Sequence, residues 1–143
     1  MKYYLIAGEA SGDLHGSNLM KGIYAEDPEA DIRFWGGDMM LSASKDGKGL
    51  VRHYREGAVM GFVEVLAKAR KLLGNISFCK KDILEWHPDV VILIDYPGFN
   101  FKIAEFAHKA GLKVFYYIAP KVWASREGRI RKLKAYVDKL FIV

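Results

Sequence analysis

Several absences narrow what this chain can be. It has a single cysteine, Cys79, so neither an internal disulfide nor a cysteine metal cluster can form, which fits a reducing cytoplasm. No apolar run approaches the roughly 18 residues that a membrane-crossing helix needs. The opening Met1-Lys2-Tyr3-Tyr4-Leu5-Ile6 has the look of a strand and lacks the small-residue cleavage site of a secretory signal. The histidines His15, His53, His87 and His108 show no spacing suited to metal ligation, and no Asp-x-Asp pair offers a seat for a divalent cation. Neither a metal nor a cofactor is expected. Repeats, low-complexity segments and internal linkers are absent as well.

What is present is ordinary for a globular protein: 143 residues, 51% hydrophobic and 27% charged, with a formal net charge of +5. A chain of this length forms one domain and buries roughly 70% of its unfolded surface. The charge is uneven. Residues 1–61 carry a balance of −2 and residues 62–143 a balance of +7. A basic second part suits phosphates, an anionic membrane or nucleic acid. The chain stops at Leu140-Phe141-Ile142-Val143, a strand-like apolar run without a cap, which suggests truncation.

Short apolar runs alternate with helical stretches. Strands are expected at Tyr3–Ala7, Asp31–Trp35, Leu50–His53 (weakly), Val90–Ile94, Lys113–Ile118 and Leu140–Val143. Val90–Ile94 has five apolar residues without alternation, as a strand covered on both faces should. Helices are expected at about Leu14–Ala25, Met39–Ser44, Phe62–Leu73, Ile76–Trp86, from the Pro97-Gly98 loop to Ala110, and at Arg126–Tyr136. Gly74-Asn75 should separate the third helix from the fourth, and Gly111 stands where a C-cap belongs. Strands alternating with helices predict parallel β-α-β units in an α/β, Rossmann-like, doubly wound sheet. Such folds place ligands beyond the carboxyl ends of their strands, which directs attention to residues 8–13, 95–100 and 119–125.

In the first of these loops, Gly8, Glu9, Ser11, Gly12 and Asp13 follow a strand and enter a helix. The pattern suits either a tight turn with Ser11 or Asp13 as helix cap, or a loop that lets an anion approach the backbone. It is neither the dinucleotide fingerprint nor a Walker A loop, and Ser11 is not in a nucleophile elbow. Asp95 ends a buried strand, so its carboxylate is a candidate general base or else a loop tie beside Pro97. Asn100 suits a helix cap or a polar ligand contact. In the third loop, Pro120 and Trp123 precede a basic helix with Arg126, Arg129, Arg131, Lys132 and Lys134. Trp123 suits a ligand platform or a core plug, and the arginines a phosphate or plain solvent. Without aromatic interleaving, nucleic acid is not an expected partner. Between these loops, Phe62, Val65, Leu66, Ala69, Leu72 and Leu73 share one helical face beside Lys68, Arg70 and Lys71, with Val59, Met60 and Val63 widening the apolar surface. Both a core-facing and an interfacial membrane helix have this chemistry.

Four stretches recur in the order found in one family. They are Ala7-Gly8-Glu9-Ala10-Ser11-Gly12-Asp13, Ala58-Val59-Met60-Gly61 with Val63-Glu64-Val65-Leu66, Ile94-Asp95-Tyr96-Pro97-Gly98-Phe99-Asn100, and Pro120-Lys121-Val122-Trp123-Ala124. Together they resemble lipid-A-disaccharide synthase, a bacterial glycosyltransferase of GT-B architecture, over most of the chain. The resemblance implies that residues 1–143 are the N-terminal, acceptor-side half, and that a C-terminal nucleotide-sugar domain lies outside this chain. It implies transfer of 2,3-diacylglucosamine from UDP-2,3-diacylglucosamine to 2,3-diacylglucosamine 1-phosphate, with inversion, a β-1′,6 bond and release of UDP. Asp95 would be the general base. Gly8, Glu9, Ser11, Gly12, Asp13, Met60, Gly61, Asn100, Pro120, Trp123 and Arg126 would contact substrate. Phe62, Val65, Leu66, Leu72 and Leu73 would meet acyl chains on the cytoplasmic face of the inner membrane. A homodimer is compatible with this reading, and the isolated chain should not turn over. Gly98, Lys121 and Ser125 depart from the family pattern, at an acidic, a small polar and a tryptophan position respectively. The alternatives are another GT-B UDP-sugar transferase or epimerase domain, or a non-enzymatic membrane-surface or phosphate-binding module.

Overall fold

The computed structural model describes residues 1–57, 64–118 and 127–142. In chain order these form β1 (Lys2–Ala7), α1 (Ala10–Glu26), β2 (Asp31–Gly36), α2 (Asp38–Ala43), β3 (Leu50–His53), α3 (Glu64–Trp86), β4 (Val90–Ile94), α4 (Pro97–Lys109), β5 (Lys113–Ile118), α5 (Glu127–Tyr136) and β6 (Lys139–Ile142), with a 3-10 turn at Tyr54–Gly57. The strands make one sheet in the order β3-β2-β1-β4-β5-β6, and every pairing is parallel. The chain leaves β1 toward one edge, then returns to lay β4 on its other side. That reversal creates a crevice at the carboxyl ends of β1 and β4.

Alternation along the strands divides the core in two. Tyr4 and Ile6 of β1 pack with Val91 and Leu93 of β4 on the face covered by Ile76, Cys79 and Ile83 of α3, Ile103 and Ala107 of α4, and Leu133 of α5. Leu5 and Ala7 join Val90, Ile92 and Ile94 on the opposite face, against Met20 of α1 and Met40 of α2. Each of the five β4 side chains is buried, as its unbroken apolar run predicts. The doubly wound reading is therefore correct.

Two helices differ from the sequence expectation. α1 starts at Ala10 rather than Leu14, so Gly8-Glu9 alone makes the turn after β1. α3 is one helix that runs through Gly74-Asn75 rather than two. A helical glycine costs about 1 kcal/mol relative to alanine. Leu72, Ile76, Cys79 and Ile83 continue one core-facing stripe across that glycine. Burying Ile76 and Ile83 is worth about 1.5–3 kcal/mol each, so packing outweighs the local penalty.

Candidate active site

The loop between β4 and α4 is the most constrained segment of the crevice. Asp95 (φ 43°) and Tyr96 (φ 51°) are consecutive non-glycine residues in the left-handed region. Such conformations cost about 1–3 kcal/mol each and persist only where the surroundings enforce them. Here the enforcement is explicit. The Asp95 N–H donates to the Tyr117 carbonyl at 2.8 Å, extending the β4–β5 ladder by one bond. The Asp95 carbonyl accepts from Asn100 Nδ2 at 2.9 Å and from the Tyr116 hydroxyl at 2.7 Å. Pro97 then opens α4, where a missing N–H does no harm.

Asp95 itself is 7% exposed. Burial, and then the Asp95 charge, raise the Tyr116 phenol well above its ordinary range, while Arg129 of α5 acts in the opposite direction. Tyr116 thus keeps its proton and holds the loop as a donor. Asn100 is wholly buried. Its Nδ2 also faces the carbonyls of Ile6, at 3.3 Å, and Ile94, at 3.4 Å, which ties the ends of β1 and β4 together. In this position it orients the Asp95 loop and offers no surface to a ligand, unlike the contact anticipated from sequence.

The first loop lies against the same wall. A Cβ on Gly8 would run into the Tyr96 ring, so only glycine lets that ring cross the end of β1. Gly12 packs close to Ala7 and Ile94, where an added Cβ would stand 3.2 Å from the Ala7 Cβ. Glu9 takes the N-cap position of α1 without a side-chain bond, and Ser11 is exposed in the first turn. Asp13 corrects the cap expectation. Its buried carboxylate accepts from the N–H groups of Gly37 (2.8 Å), Met39 (3.0 Å) and Met40 (3.0 Å), so it fastens the start of α2 onto α1. Neither Ser11 nor Asp13 caps its own helix.

Beside Gly8 and Tyr96 opens a small cleft walled by Trp35, Tyr54, Tyr96 and Phe99 and flanked by Arg52 and Lys71. Tyr96 and Phe99 stack at 5.4 Å, and Trp35 leans on Phe99 at 5.3 Å. Burial, with the Glu9 carboxylate nearby, raises the Tyr96 phenol above its ordinary value, so it is a neutral donor. The arrangement sets a buried carboxylate, at a strained strand end, one residue from Tyr96, which walls an aromatic cleft with cations at its side. It suits deprotonation of a hydroxyl on a polar, anionic ligand.

Residues 3–143 match the family model for lipid-A-disaccharide synthetase. The chain belongs to the lipid-A-disaccharide synthetase family. Relatives named lipid-A-disaccharide synthase include one from Geobacter metallireducens, 45% identical over 139 residues, which cover 97% of this chain and 35% of that protein. One from Trichlorobacter lovleyi is 42% identical over 97% of this chain and 36% of its own length, and one from Coxiella burnetii is 40% identical over the same shares. This synthetase-family chain thus spans little more than a third of the relatives it matches. In structure it resembles UDP-GlcNAc 2-epimerase from Neisseria meningitidis bound to UDP-GlcNAc, with TM-score 0.68 and 13% identity, over 99% of this chain and 40% of that one. The epimerase from Methanocaldococcus jannaschii gives TM-score 0.58 at 18% identity, over 99% and 39%. At those identities the likeness is one of fold.

For this synthetase-family chain, the structure brings Gly8, Glu9, Gly12, Asp95 and Asn100 to one crevice. Met60, Gly61, Phe62, Pro120, Trp123 and Arg126 lie outside the described residues, as do the side chains of Val65 and Leu66. Leu72 and Leu73 part company: Leu72 packs against the core and Leu73 is 63% exposed. The sequence reading passed over Tyr116 and the cleft residues Trp35 and Tyr54. A polar tyrosine in an apolar strand was a usable signal for Tyr116. The cleft residues come from β2, β3 and the turn after it, and no single motif holds them.

Proposed function

We propose that this chain is the acceptor-side, N-terminal half of a GT-B lipid-A-disaccharide synthase. Its full protein transfers 2,3-diacylglucosamine from UDP-2,3-diacylglucosamine to the 6-hydroxyl of 2,3-diacylglucosamine 1-phosphate. The 6-oxygen attacks the anomeric carbon from the face opposite UDP. The C–O bond forms as the bond to UDP breaks, the anomeric centre inverts to a β-1′,6 linkage, and Asp95 receives the hydroxyl proton. The observation that carries this is the family match combined with the position of Asp95, buried on a strained strand end beside the cleft. Gly8 lines the cleft, Glu9, Ser11 and Gly12 remain proposed substrate contacts, and Asn100 and Tyr116 hold the base in place. Met60, Gly61, Pro120, Trp123 and Arg126 remain proposed substrate contacts. Most UDP contacts belong to a C-terminal domain.

The same proposal places the enzyme on the cytoplasmic face of the inner membrane, with the residue 60–73 region toward lipid. No helix among the described residues is long and apolar enough to cross a membrane. Exposed Lys68, Arg70, Lys71 and Leu73 on α3 suit an anionic interface.

In the full-length protein, Asp95→Asn is expected to lower kcat by about 10²–10⁴-fold with folding intact, the usual worth of a general base. A near-normal rate would falsify the assignment. Residues 1–143 alone are expected to give no disaccharide, because one wall of a cleft cannot orient the donor.

A further inference from the structure

We propose that the cleft beside Gly8 and Tyr96 is a phosphate-monoester subsite, where Arg52, supported by Lys71, holds the phosphate of the acceptor sugar. This rests on the acceptor-side reading above. The carrying observation is a charge left without a counter-charge. Arg33 and Arg52 are both half-buried, on the adjacent strands β2 and β3. Arg33 is fully answered: its Nε and Nη2 meet the two oxygens of Asp82 at 2.7 and 2.6 Å. Arg52 is not. Its guanidinium lies 4.5 Å over the Phe78 ring, and among the described residues its buried Nε has no hydrogen-bond partner and no carboxylate pairs with it. A partly desolvated guanidinium in that state is costly until an anion arrives, and its planar fork matches phosphate oxygens.

The rest of the cleft fits the same ligand. Lys71 lines it as an exposed cation, and Asn75 adds a neutral amide. Among the described lining residues the one acid, Glu56, is exposed. His53 is already committed: its Nε2 lies 2.9 Å from Asp38 Oδ1, and its Nδ1 accepts the Arg55 N–H at 3.1 Å. Among the described lining residues, that leaves two cations for one dianion. The half-buried rings of Tyr54 and Tyr96 suit a sugar ring. A donor pyrophosphate offers the same oxygen chemistry. The acceptor is favoured because Tyr96 is both a wall of the cleft and the neighbour of Asp95, which takes the acceptor's proton.

The test uses the full-length enzyme. Arg52→Gln is expected to raise the KM for 2,3-diacylglucosamine 1-phosphate by about 10- to 100-fold, with the donor KM unchanged. With the same acceptor lacking its phosphate, wild type and Arg52→Gln should show equal kcat/KM. Arg52→Lys should recover part of the loss, and Lys71→Gln should show a weaker form of the same pattern. Without ligand, Arg52→Gln should melt no lower than wild type, since an unanswered charge is removed. A rise in donor KM instead would assign the cleft to the pyrophosphate and overturn the proposal. Equal losses with both acceptors would overturn it too, by making Arg52 structural. Should Arg52→Gln fail to fold, exposed Lys71 carries the comparison, and no phosphate selectivity there refutes the subsite. If the wild type makes no disaccharide, the functional reading fails separately. Calorimetric titration with glucosamine 1-phosphate against glucosamine then decides: binding of the phosphate sugar alone, lost in Arg52→Gln, supports the subsite, and equal binding ends it.

Discussion

Asn100 shows how one side chain sets the geometry of another. Its amide faces three carbonyls, those of Ile6, Ile94 and Asp95, at 3.3, 3.4 and 2.9 Å. Every one of those groups needs a donor. Asn100→Asp would set a carboxylate against three acceptors in a wholly buried position. The expected loss is about 3 kcal/mol, the upper end for an unsatisfied buried polar group, read from urea unfolding. The surviving folded fraction should lose turnover as well, because the loop that aims Asp95 is no longer clamped. Cys79 is the opposite kind of residue. It is buried on α3, and burial pushes its thiol up, far from the thiolate that reacts. Ellman's reagent is therefore expected to label Cys79 only after unfolding. Fast labelling of the native chain would show that α3 opens.

At the scale of elements, one carboxylate joins three of them. Asp82 of α3 accepts from Arg33 of β2 and, at 2.7 Å, from the Tyr4 hydroxyl of β1, which in turn accepts the Trp35 indole N–H at 2.8 Å. Burial alone would raise the Asp82 carboxyl, but the hydrogen bonds from Arg33 and Tyr4 outweigh it and hold the group below its ordinary 3.8. The sign of the pH effect follows. A depressed carboxyl stabilises the fold fully above its unfolded value, and that contribution is lost as acid carries the pH down through the folded value. Asp82→Asn should cost about 2 kcal/mol at neutral pH, discounted because the Arg33 side chain is 32% exposed. It should also flatten the decline in wild-type stability below about pH 4, measured as urea midpoints across an acid series. None of this network was readable from sequence. Asp82 lies tens of residues from Arg33 and Tyr4, and on the helix expected at Ile76–Trp86 it reads as a solvated charge. Asp13 escaped for a related reason: a carboxylate one turn into a helix reads as that helix's own cap, whereas the partner it finds is α2.

The whole molecule was more legible than its site. Parallel order followed from strands separated by helices, and Val90–Ile94 announced a strand covered on both faces. The loop of Asp95 was located by its place after that strand. Its left-handed backbone and clamp were not, because they depend on Tyr116 and Asn100 meeting across the sheet. The stripe from Phe62 to Leu73 marks where pattern alone must stop, since a core face and a lipid face use the same residues. Folding separates two of them. Leu72 packs on the core beneath α3, while Leu73, one residue on and 63% exposed, sits in an exposed basic stretch with Lys68, Arg70 and Lys71. Leu72→Glu should therefore destabilise the fold by about 1–3 kcal/mol, as setting a charge against the core in place of a partly buried leucine does. Leu73→Glu should leave the urea midpoint within the range of ordinary surface changes, about 0.5 kcal/mol. If α3 meets an anionic membrane, Leu73→Glu should still weaken flotation with phosphatidylglycerol vesicles, since it removes apolar contact and adds one negative charge. Unchanged flotation by a folded Leu73→Glu variant would place the membrane surface elsewhere and leave the basic face of α3 to solvent.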